Sequence, residues 1–498
     1  MATITHTLRA VMTIDPDAVE IDFAGQEITW RQIADTVAGI EQALATMPLA
    51  PEARIGVMLR NRPAHIAAII AIVATDRCLV TLNPMMPDAK LAEDIALLAL
   101  PAVIGDVEDI ARAGVADALR TASAAVIAID GVSGTVDVRR AAPAPGVALS
   151  SAPGVAIEML TSGTTGTPKR VPLTRAAFDA SFASFARYER NRDHADAPRL
   201  RSGIVMVVNP LTHIGGIYGC IGALLAGRRI ALLERFRVTE WVDAVRRHRP
   251  KIAPAVPSAL RMILDADVPR DDLASLSALM CGTAPLDPAV VDMFLARYDL
   301  PVLANYGATE FAGAVAGWNL DDFRRCWRAK YGSVGRVHAD IGARIVDPDS
   351  GAERVPGEEG LLEIRGDQLA NGGAWLRTTD RAVMDHDRFL WIRGRADNAI
   401  VRGGFKIHPD DVVQALHQHP AVREAAVVGI PDERLGAVPA AAIILRSGVT
   451  ATEHELVSHL RARLLPYQVP TRFLFVDDLP RTPSMKPSAM GLRALFVA

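Results

Sequence analysis

The sequence predicts a large layered α/β N-terminal domain followed by a small α+β C-terminal domain, and three observations carry that prediction. Helical and strand patterns alternate through most of the chain, which is the pattern of sheets covered by helices. At 498 residues, half of them hydrophobic, the chain is long enough to bury a large core and to hold more than one domain. The stretch 397–498 then changes character, with two apolar strand runs set between two helical ones. These boundaries predict domains over 1–396 and 397–498.

The elements follow in order. Ala64 to Val73 is an apolar run broken by His65 and followed by Asp76 and Arg77. It is too short to cross a bilayer and reads as a core helix ahead of the strand Cys78 to Leu82. The Ala/Pro/Gly-rich stretch Ala141 to Gly154 reads as a connector, and Val155 to Leu160 and Val171 to Leu173 read as short strands around a polar loop. Ile204 to Val208 is a further strand. Thr239 to Arg249 places acids early and bases late, with Pro250 as a stop, so it complements a helix dipole, and Ile252 to Val256 reads as the next strand. Its basic end reads as a solvated helix terminus rather than an anion site. In the last stretch Asp410 and Asp411 open a helix running through Leu416. Ala425 to Ile430 and Ala440 to Leu445 are strands, and Thr452 to Leu465 is a second helix.

Composition narrows the class of function. A formal net charge of -3 excludes both an acidic disordered chain and a basic nucleic-acid binder. Cys78, Cys220, Cys281 and Cys326 are scattered without paired spacing, which argues against a disulfide framework or zinc site and suits a reducing, cytoplasmic location. The N-terminus lacks a basic region followed by an apolar run, so no secretory signal is expected, and no segment reads as a membrane span.

The densest chemical signal is Thr161-Ser162-Gly163-Thr164-Thr165-Gly166-Thr167-Pro168-Lys169. Small residues let backbone N–H groups approach an anion, the hydroxyls add rotatable donors, and Lys169 supplies a point charge, so the run describes a phosphate cradle. It is not a Walker loop: Pro168 separates the last glycine from Lys169, and Arg170 follows where a Ser or Thr would hold magnesium. The same residue types also fill ordinary surface turns.

This run resembles the phosphate loop of the acyl-adenylate-forming superfamily, most closely its acyl- and aryl-CoA synthetases, and six further segments agree in family order. Asn209 to Gly216 resembles the segment whose His lines the carboxylate pocket, and Cys281 to Leu286 the turn beside adenine. Asn305-Tyr306-Gly307-Ala308-Thr309-Glu310 resembles the Y-G-x-T-E segment, and Trp375 to Asp380 the W-x-R-T-G-D segment. Gly394 to Asp397 through Gly403 to Pro409 resembles the hinge and the glycine turn after it, and Pro480 to Lys486 the C-terminal lysine loop.

The resemblance implies ATP, magnesium (Mg2+) and coenzyme A as cofactors. It assigns the phosphates to Thr161, Ser162, Gly163, Thr164, Thr165, Gly166 and Lys169, and magnesium to Glu310 and Thr161. Adenine falls to Gly282, Thr283, Ala284 and Tyr306, with Asn305, Gly307 and Thr309 also implied for the nucleotide, and the ribose to Asp380, whose ionised carboxylate accepts from both vicinal hydroxyls, with Arg395 beside it. His213, Gly215, Ala312 and Gly313 are implied for the acid, with Phe182 and Phe185 as further candidates. Gly403 and Gly404 are implied for the pantetheine arm, and Asp397 for the hinge of a mobile C-terminal domain. Catalysis is implied for Lys486, His213 and Glu310, since activating a carboxylate brings two anions together and needs cations between them.

Taken without the resemblance, His213 is a core histidine, Lys486 an exposed tail lysine and Gly403-Gly404 a turn. The chain departs from the family in having Met485 where a glycine usually precedes the lysine, Pro487 after it, and Thr212 in place of the aromatic residue before His213. The expected reaction is activation of a carboxylic acid to acyl-AMP, then thioester formation with coenzyme A. The implied partners are small molecules, with no nucleic acid, and a homodimer is compatible with the sequence. The acid is expected to be an apolar monocarboxylate, either aryl, alicyclic or medium-chain fatty, because no Arg or Lys stands out as ligand for a second carboxylate. Two alternatives stand beside this: transfer to a carrier protein's phosphopantetheine in trans, and a degenerate protein that binds an adenylate without turnover.

Overall fold

The computed structural model describes residues 4–140, 143, 150–161, 169–188, 197–369, 371, 373–482 and 485–497. The chain forms two compact units. One runs to Thr161, resumes over Lys169–Trp327 and takes in Gly366–Ala374; the other holds Arg328–Arg365 and the chain from Trp375 onward.

The first unit is built on three sheets. In the seven-stranded sheet the order is Val136–Arg140, Ala125–Ile129, Ala102–Asp106, Arg54–Met58, Cys78–Leu82, Val155–Thr161, Lys169–Thr174. The inner five strands are parallel and each edge strand is antiparallel to its neighbour. Parallel strands are covered on both faces, so they read as continuous apolar runs, and Cys78–Leu82, Ala102–Asp106 and Ala125–Ile129 are buried along their whole length. A four-stranded sheet joins Arg201–Val207, Arg228–Leu232, Val19–Phe23 and Gln26–Thr29. In a third, Ile252–Pro254, Ala278–Cys281 and Val302–Ala308 are parallel, and Gly313–Gly317 returns antiparallel as a hairpin.

The expected core helix spans Pro63–Val73, and all eleven of its residues are buried. Pro63 sits at its first turn, where the missing N–H costs nothing. The expected basic-ended helix is Val238–His248, closed by Arg249 in a left-handed conformation; its Trp241 and Val245 are fully buried, the arginines of its basic end stay outside, and the His248 side chain is nearly buried. Most of the expected connector lies outside the described residues. The strand expected after it begins at Val155, as read.

The second unit is antiparallel where the first is parallel. Gly342–Val346, Glu359–Arg365, Leu376–Met384 and Leu390–Arg395 form a meander. A five-stranded sheet carries the long pair Val422–Asp432 and Gly436–Leu445; the other side of Gly436–Leu445 pairs with the hairpin Ile400–Arg402/Phe405–Ile407 at Gly436 and, parallel, with Arg472–Phe475 over Ala440–Ile443. Its two faces bury separate cores, one under the helices Pro409–His417 and Glu453–Arg461 and one under Ala489–Val497. The expected helix from Thr452 has Thr452 as its cap, bonded reciprocally with Glu455, and ends at Arg461 rather than Leu465. The meander has no counterpart in the sequence reading.

Glu20 is the costly residue in the first unit. It lies on the central strand Val19–Phe23, 1% exposed, and its Oε1 has no hydrogen-bond partner among the described residues. Burial pushes its carboxyl up from 4.5 to about 9, against the opposing pull of the Arg229 guanidinium. The native state therefore holds a proton that the unfolded chain gives up. The stabilisation is complete below pH 4.5 and is lost as pH rises through about 9. Glu20→Gln should leave stability near pH 5 little changed and should gain on the parent as pH rises, by up to about 1.4 kcal/mol per pH unit. Thermal unfolding from pH 5 to 9 checks this, and parallel curves for the two proteins would contradict it.

Candidate active site

In the first unit the candidate segments share one address. Thr161 ends a strand of the seven-stranded sheet, the turn Gly282-Thr283-Ala284 follows Ala278–Cys281, Asn305 to Glu310 closes Val302–Ala308, and Asn209 to His213 follows Arg201–Val207. Each lies at the carboxyl end of its strand, where open α/β sheets place their ligands because side chains there are freed from the packed layers.

The phosphate-loop residues Ser162, Gly163, Thr164, Thr165 and Gly166 lie outside the described residues, but both ends of that loop are placed. Thr161 and Lys169 face each other across the antiparallel pair, and the Thr161 hydroxyl donates to the Lys169 carbonyl at 3.1 Å. Arg170 is spent on structure. Its guanidinium donates to the Asp94 carboxylate at 2.6 Å and to the Thr81 carbonyl at 3.1 Å, both part-buried, which fixes the hairpin to the sheet.

At the neighbouring turn a β-carbon on residue 282 would stand 2.2 Å from Asn305 Oδ1, so only glycine lets the turn approach that amide. Thr283 adopts φ 71, an uncommon left-handed backbone, and a β-carbon on Gly215 would lie 4.0 Å from its Cγ2. The Gly282–Ala284 turn and the His213 segment are thus adjacent. Tyr306 lies with its ring 5.9 Å from that of Phe311, Gly307 pairs with Ala314 across the hairpin, and Thr309, half-buried, and Glu310, exposed, form its corner.

His213 precedes the helix Ile214–Leu225 as its cap residue, and its carbonyl accepts from the N–H groups of Gly216 and Ile217. Gly313 takes φ 131, and a β-carbon there would lie 3.1 Å from both Ser181 Oγ and Tyr218 Cε1. Its lack of a side chain thus has a backbone reason independent of any acid. Ser181 donates to the Ala312 carbonyl at 2.6 Å, and Phe182 stacks on Tyr218 with centroids 4.5 Å apart, so Phe182, Ala312 and Gly313 belong to one wall. The side chain of Phe185 lies outside the described residues.

Sequence reasoning missed Asn61. Only 3% exposed, its side-chain amide donates toward the carbonyls of Val208, Asn209 and Leu233, and its oxygen accepts from the Leu211 N–H at 2.9 Å. Its neighbours are pinned as well, Arg60 to Asp109 at 2.7 Å and Arg62 to Asp106 at 2.9 Å. The polar triplet Arg60-Asn61-Arg62 just before an apolar helix was the available signal. Asn61→Ala would leave backbone groups at two neighbouring strand ends of the four-stranded sheet without this partner. It should lower the unfolding free energy by about 3 kcal/mol, given roughly 1–3 kcal/mol per unsatisfied buried group. Urea titration measures this, and a loss under about 1 kcal/mol would show that the amide is not the clamp.

In the second unit Asp380 and Arg395 pair across adjacent strands, and Arg395 Nε donates to Asp397 Oδ1 at 3.1 Å while standing 3.9 Å from Asp380 Oδ1. Arg395 also bonds the Thr379 hydroxyl, and the Asp380 N–H donates to Thr378 Oγ1 at 3.1 Å. The implied ribose and hinge residues are therefore one charged cluster. Gly403 and Gly404 join two strands that pair from Arg402 to Phe405, and with φ 55 and 90 they form the two-residue hairpin turn that requires left-handed backbone twice. Lys486 is exposed on a loop closed by the Thr482 N–H donating to the Lys486 carbonyl at 2.8 Å.

No group of three His, Cys, Asp or Glu side chains placed to hold a metal ion occurs among the described residues. The exposed Glu310 carboxylate and the Thr161 hydroxyl are hard oxygen donors that fit magnesium in the form in which it arrives on phosphates, keeping water and taking one or two protein ligands. The four cysteines are free, three of them buried, and no described helix is long and apolar enough to cross a membrane.

Glycine-lined turns and an exposed carboxylate at the carboxyl ends of parallel strands mark the ligand-binding edge of an α/β protein. The chain belongs to the AMP-binding enzyme family, whose model matches residues 8–372, with the family's C-terminal domain matching 412–486. It falls, as the motifs indicated, in the acyl-adenylate-forming superfamily beside the acyl-CoA synthetases. It is 32% identical over 354 residues to 4-coumarate–CoA ligase 3 of Oryza sativa subsp. japonica, a match covering 68% of this chain and 63% of that protein. With 4-coumarate–CoA ligase 5 of the same organism it shares 26% identity over 502 residues, covering 95% and 90%. Amide bond synthetase McbA from Marinactinospora thermotolerans superposes with a TM-score of 0.80 at 27% identity, covering 99% of this chain and all of that one.

Proposed function

We propose that this protein is an ATP-dependent acid–thiol ligase of two half-reactions. In the first, an oxygen of the bound carboxylate attacks the α-phosphorus of ATP, the bond from that phosphorus to the bridging oxygen breaks, and pyrophosphate leaves. In the second, the thiol of coenzyme A attacks the acyl carbon, its proton passes to solvent, and AMP leaves with the bonding pair. Lys169 and the hydroxyl-rich loop hold phosphates, and Gly282, Thr283, Ala284 and Tyr306 receive adenine. Asp380 accepts from the ribose with Arg395 beside it, and His213, Gly215, Ala312 and Gly313 border the acid. Magnesium held by Glu310 and Thr161 offsets negative charge on the phosphates when bound.

Lys486 bridges the attacking carboxylate and the α-phosphate in the first step and is not needed in the second. That difference is the reason for a boundary of movement at 396/397, with Asp397 as its pivot and Gly403-Gly404 brought toward the pantetheine arm. The observation that carries the reading is the placing of four family segments at the carboxyl ends of strands, with the Asp380–Arg395–Asp397 cluster intact in the second unit.

For the acid, the aromatic wall of Phe178, Phe182 and Tyr218 and the likeness to 4-coumarate–CoA ligases favour an apolar aryl acid within the expected class. The full-length likeness to an amide bond synthetase supports a second reading, in which an amine takes the acyl group in place of the thiol. Pyrophosphate exchange across a panel of aryl, alicyclic and medium-chain acids, followed by product analysis with coenzyme A or amines, tests both readings. Thioester is expected to dominate. Amide as the main product would favour the second reading, and absence of exchange with every acid would remove both.

Lys486→Ala should lower pyrophosphate exchange by at least about a hundredfold, the scale of removing a charge that stabilises a transition state. Thioester formation from synthetic acyl-AMP should survive, and equal loss in both half-reactions would contradict the role given to this lysine.

A further inference from the structure

Among the described residues, the loop carrying Lys486 is closed on itself and is joined to its sheet by a nearly buried ion pair. Besides the Thr482–Lys486 bond, the Met485 N–H donates to the Thr482 carbonyl at 2.8 Å, the Lys486 N–H to Thr482 Oγ1 at 3.2 Å, and the Ser488 N–H to the Pro480 carbonyl at 2.7 Å. Arg481 and Pro487 form a bridge across its neck. All of these bonds hold the loop's own shape, and none of them fixes its direction.

Direction comes from Arg481. One arm of its guanidinium donates to Glu424 Oε2 at 2.8 Å, and the other reaches the Met485 carbonyl at 3.3 Å, with the Asp478 carboxylate 3.4 Å away. Glu424 lies on the strand Val422–Asp432, where the register shifts between Val422 and Glu424, and the two side chains are 14% and 15% exposed. The peptide that Arg481 grips is the one before Lys486, and it belongs to Met485, which sits at φ 63. A non-glycine residue there costs on the order of 1–2 kcal/mol, so the conformation needs an outside hold. A buried, charge-assisted arginine–carboxylate contact supplies one.

We infer that Glu424 and Arg481 are positioning residues for the first half-reaction, acting through the loop to aim the Lys486 ammonium. The inference rests on the reading of Lys486 above. An ion pair that merely supported the fold would affect both half-reactions alike, whereas one that aims the lysine is felt only where the lysine works.

Arg481→Met and Glu424→Ala are expected to slow pyrophosphate exchange about tenfold or more, through kcat with KM for ATP and acid within about twofold, because small misplacements of a catalytic group are costly. Thioester formation from synthetic acyl-AMP should stay within about twofold of the parent, judged against the tenfold effect on the first step. Glu424→Gln, which keeps a hydrogen-bond acceptor and leaves the Met485 contact in place, should recover part of the loss and serves if the larger changes do not fold. Equal losses in both half-reactions, or no loss in exchange, would overturn the inference. If Lys486→Ala left exchange intact, the reading of the lysine would fall. If Lys486→Ala abolished exchange while Arg481→Met did not, the ion-pair inference alone would fall.

Discussion

The Asn61 amide is the interaction on which the first unit's working edge depends. It follows the strand Arg54–Met58 of the seven-stranded sheet, yet its partners follow Arg201–Val207 and belong to the residue after Arg228–Leu232, strands of a different sheet. Two sheets packed through apolar side chains alone can slide, because dispersion contacts have little directional preference. A buried amide that must satisfy both its donors and its acceptor has one arrangement. By joining the carboxyl ends of both sheets, Asn61 fixes where the His213 segment stands relative to the helix Pro63–Val73. Arg60 and Arg62, paired with Asp109 and Asp106, keep the amide's own backbone from yielding.

What the sequence made legible was local. The apolar run at Pro63–Val73 and the alternation around Val238–His248 could be read because their periodicity and end signals sit within a dozen or so residues. The motif glycines could be read as a set, and the structure supplies distinct reasons for them: close approach at Gly282, a left-handed turn at Gly403-Gly404, crowding by Ser181 and Tyr218 at Gly313. Gly313 shows the limit of such reading. An absent side chain looks like space for a substrate, but here it is also a backbone requirement, and no single sequence separates the two.

The unread polar contacts are long-range. Asn61 meets partners about 150 residues away, and Glu424 meets Arg481 57 residues later. A polar residue in a sequence carries no mark of the carbonyl it will find, so buried polar clamps are invisible until the chain is folded. Glu20 is a related case, its Oε1 without a hydrogen-bond partner among the described residues: an ordinary acid in a strand, made costly only by what the fold places around it.

The two units solve positioning differently, and the difference follows from their sheets. In the first, parallel strands deliver side chains to one shared edge, so ligand-facing segments are aligned by the sheet itself. Antiparallel strands in the second unit have no common end, and its candidate residues sit at separate places: a strand pair at Asp380 and Arg395, a hairpin turn at Gly403-Gly404, and a loop at Lys486. Each needs its own fastening. Arg395 is held by Asp397 and Thr379, the glycine turn by the Leu435 carbonyl, which accepts from the Gly403 N–H at 2.8 Å, and the lysine loop by Arg481 and Glu424. Under the proposed two-step reaction, independent fastening suits a unit whose groups act in different steps, since a change at one place need not disturb the others. The left-handed Met485 sharpens that argument: a neighbouring guanidinium holds the peptide whose backbone carries the cost, so an ion pair outside the loop adds to what the loop's own hydrogen bonds supply.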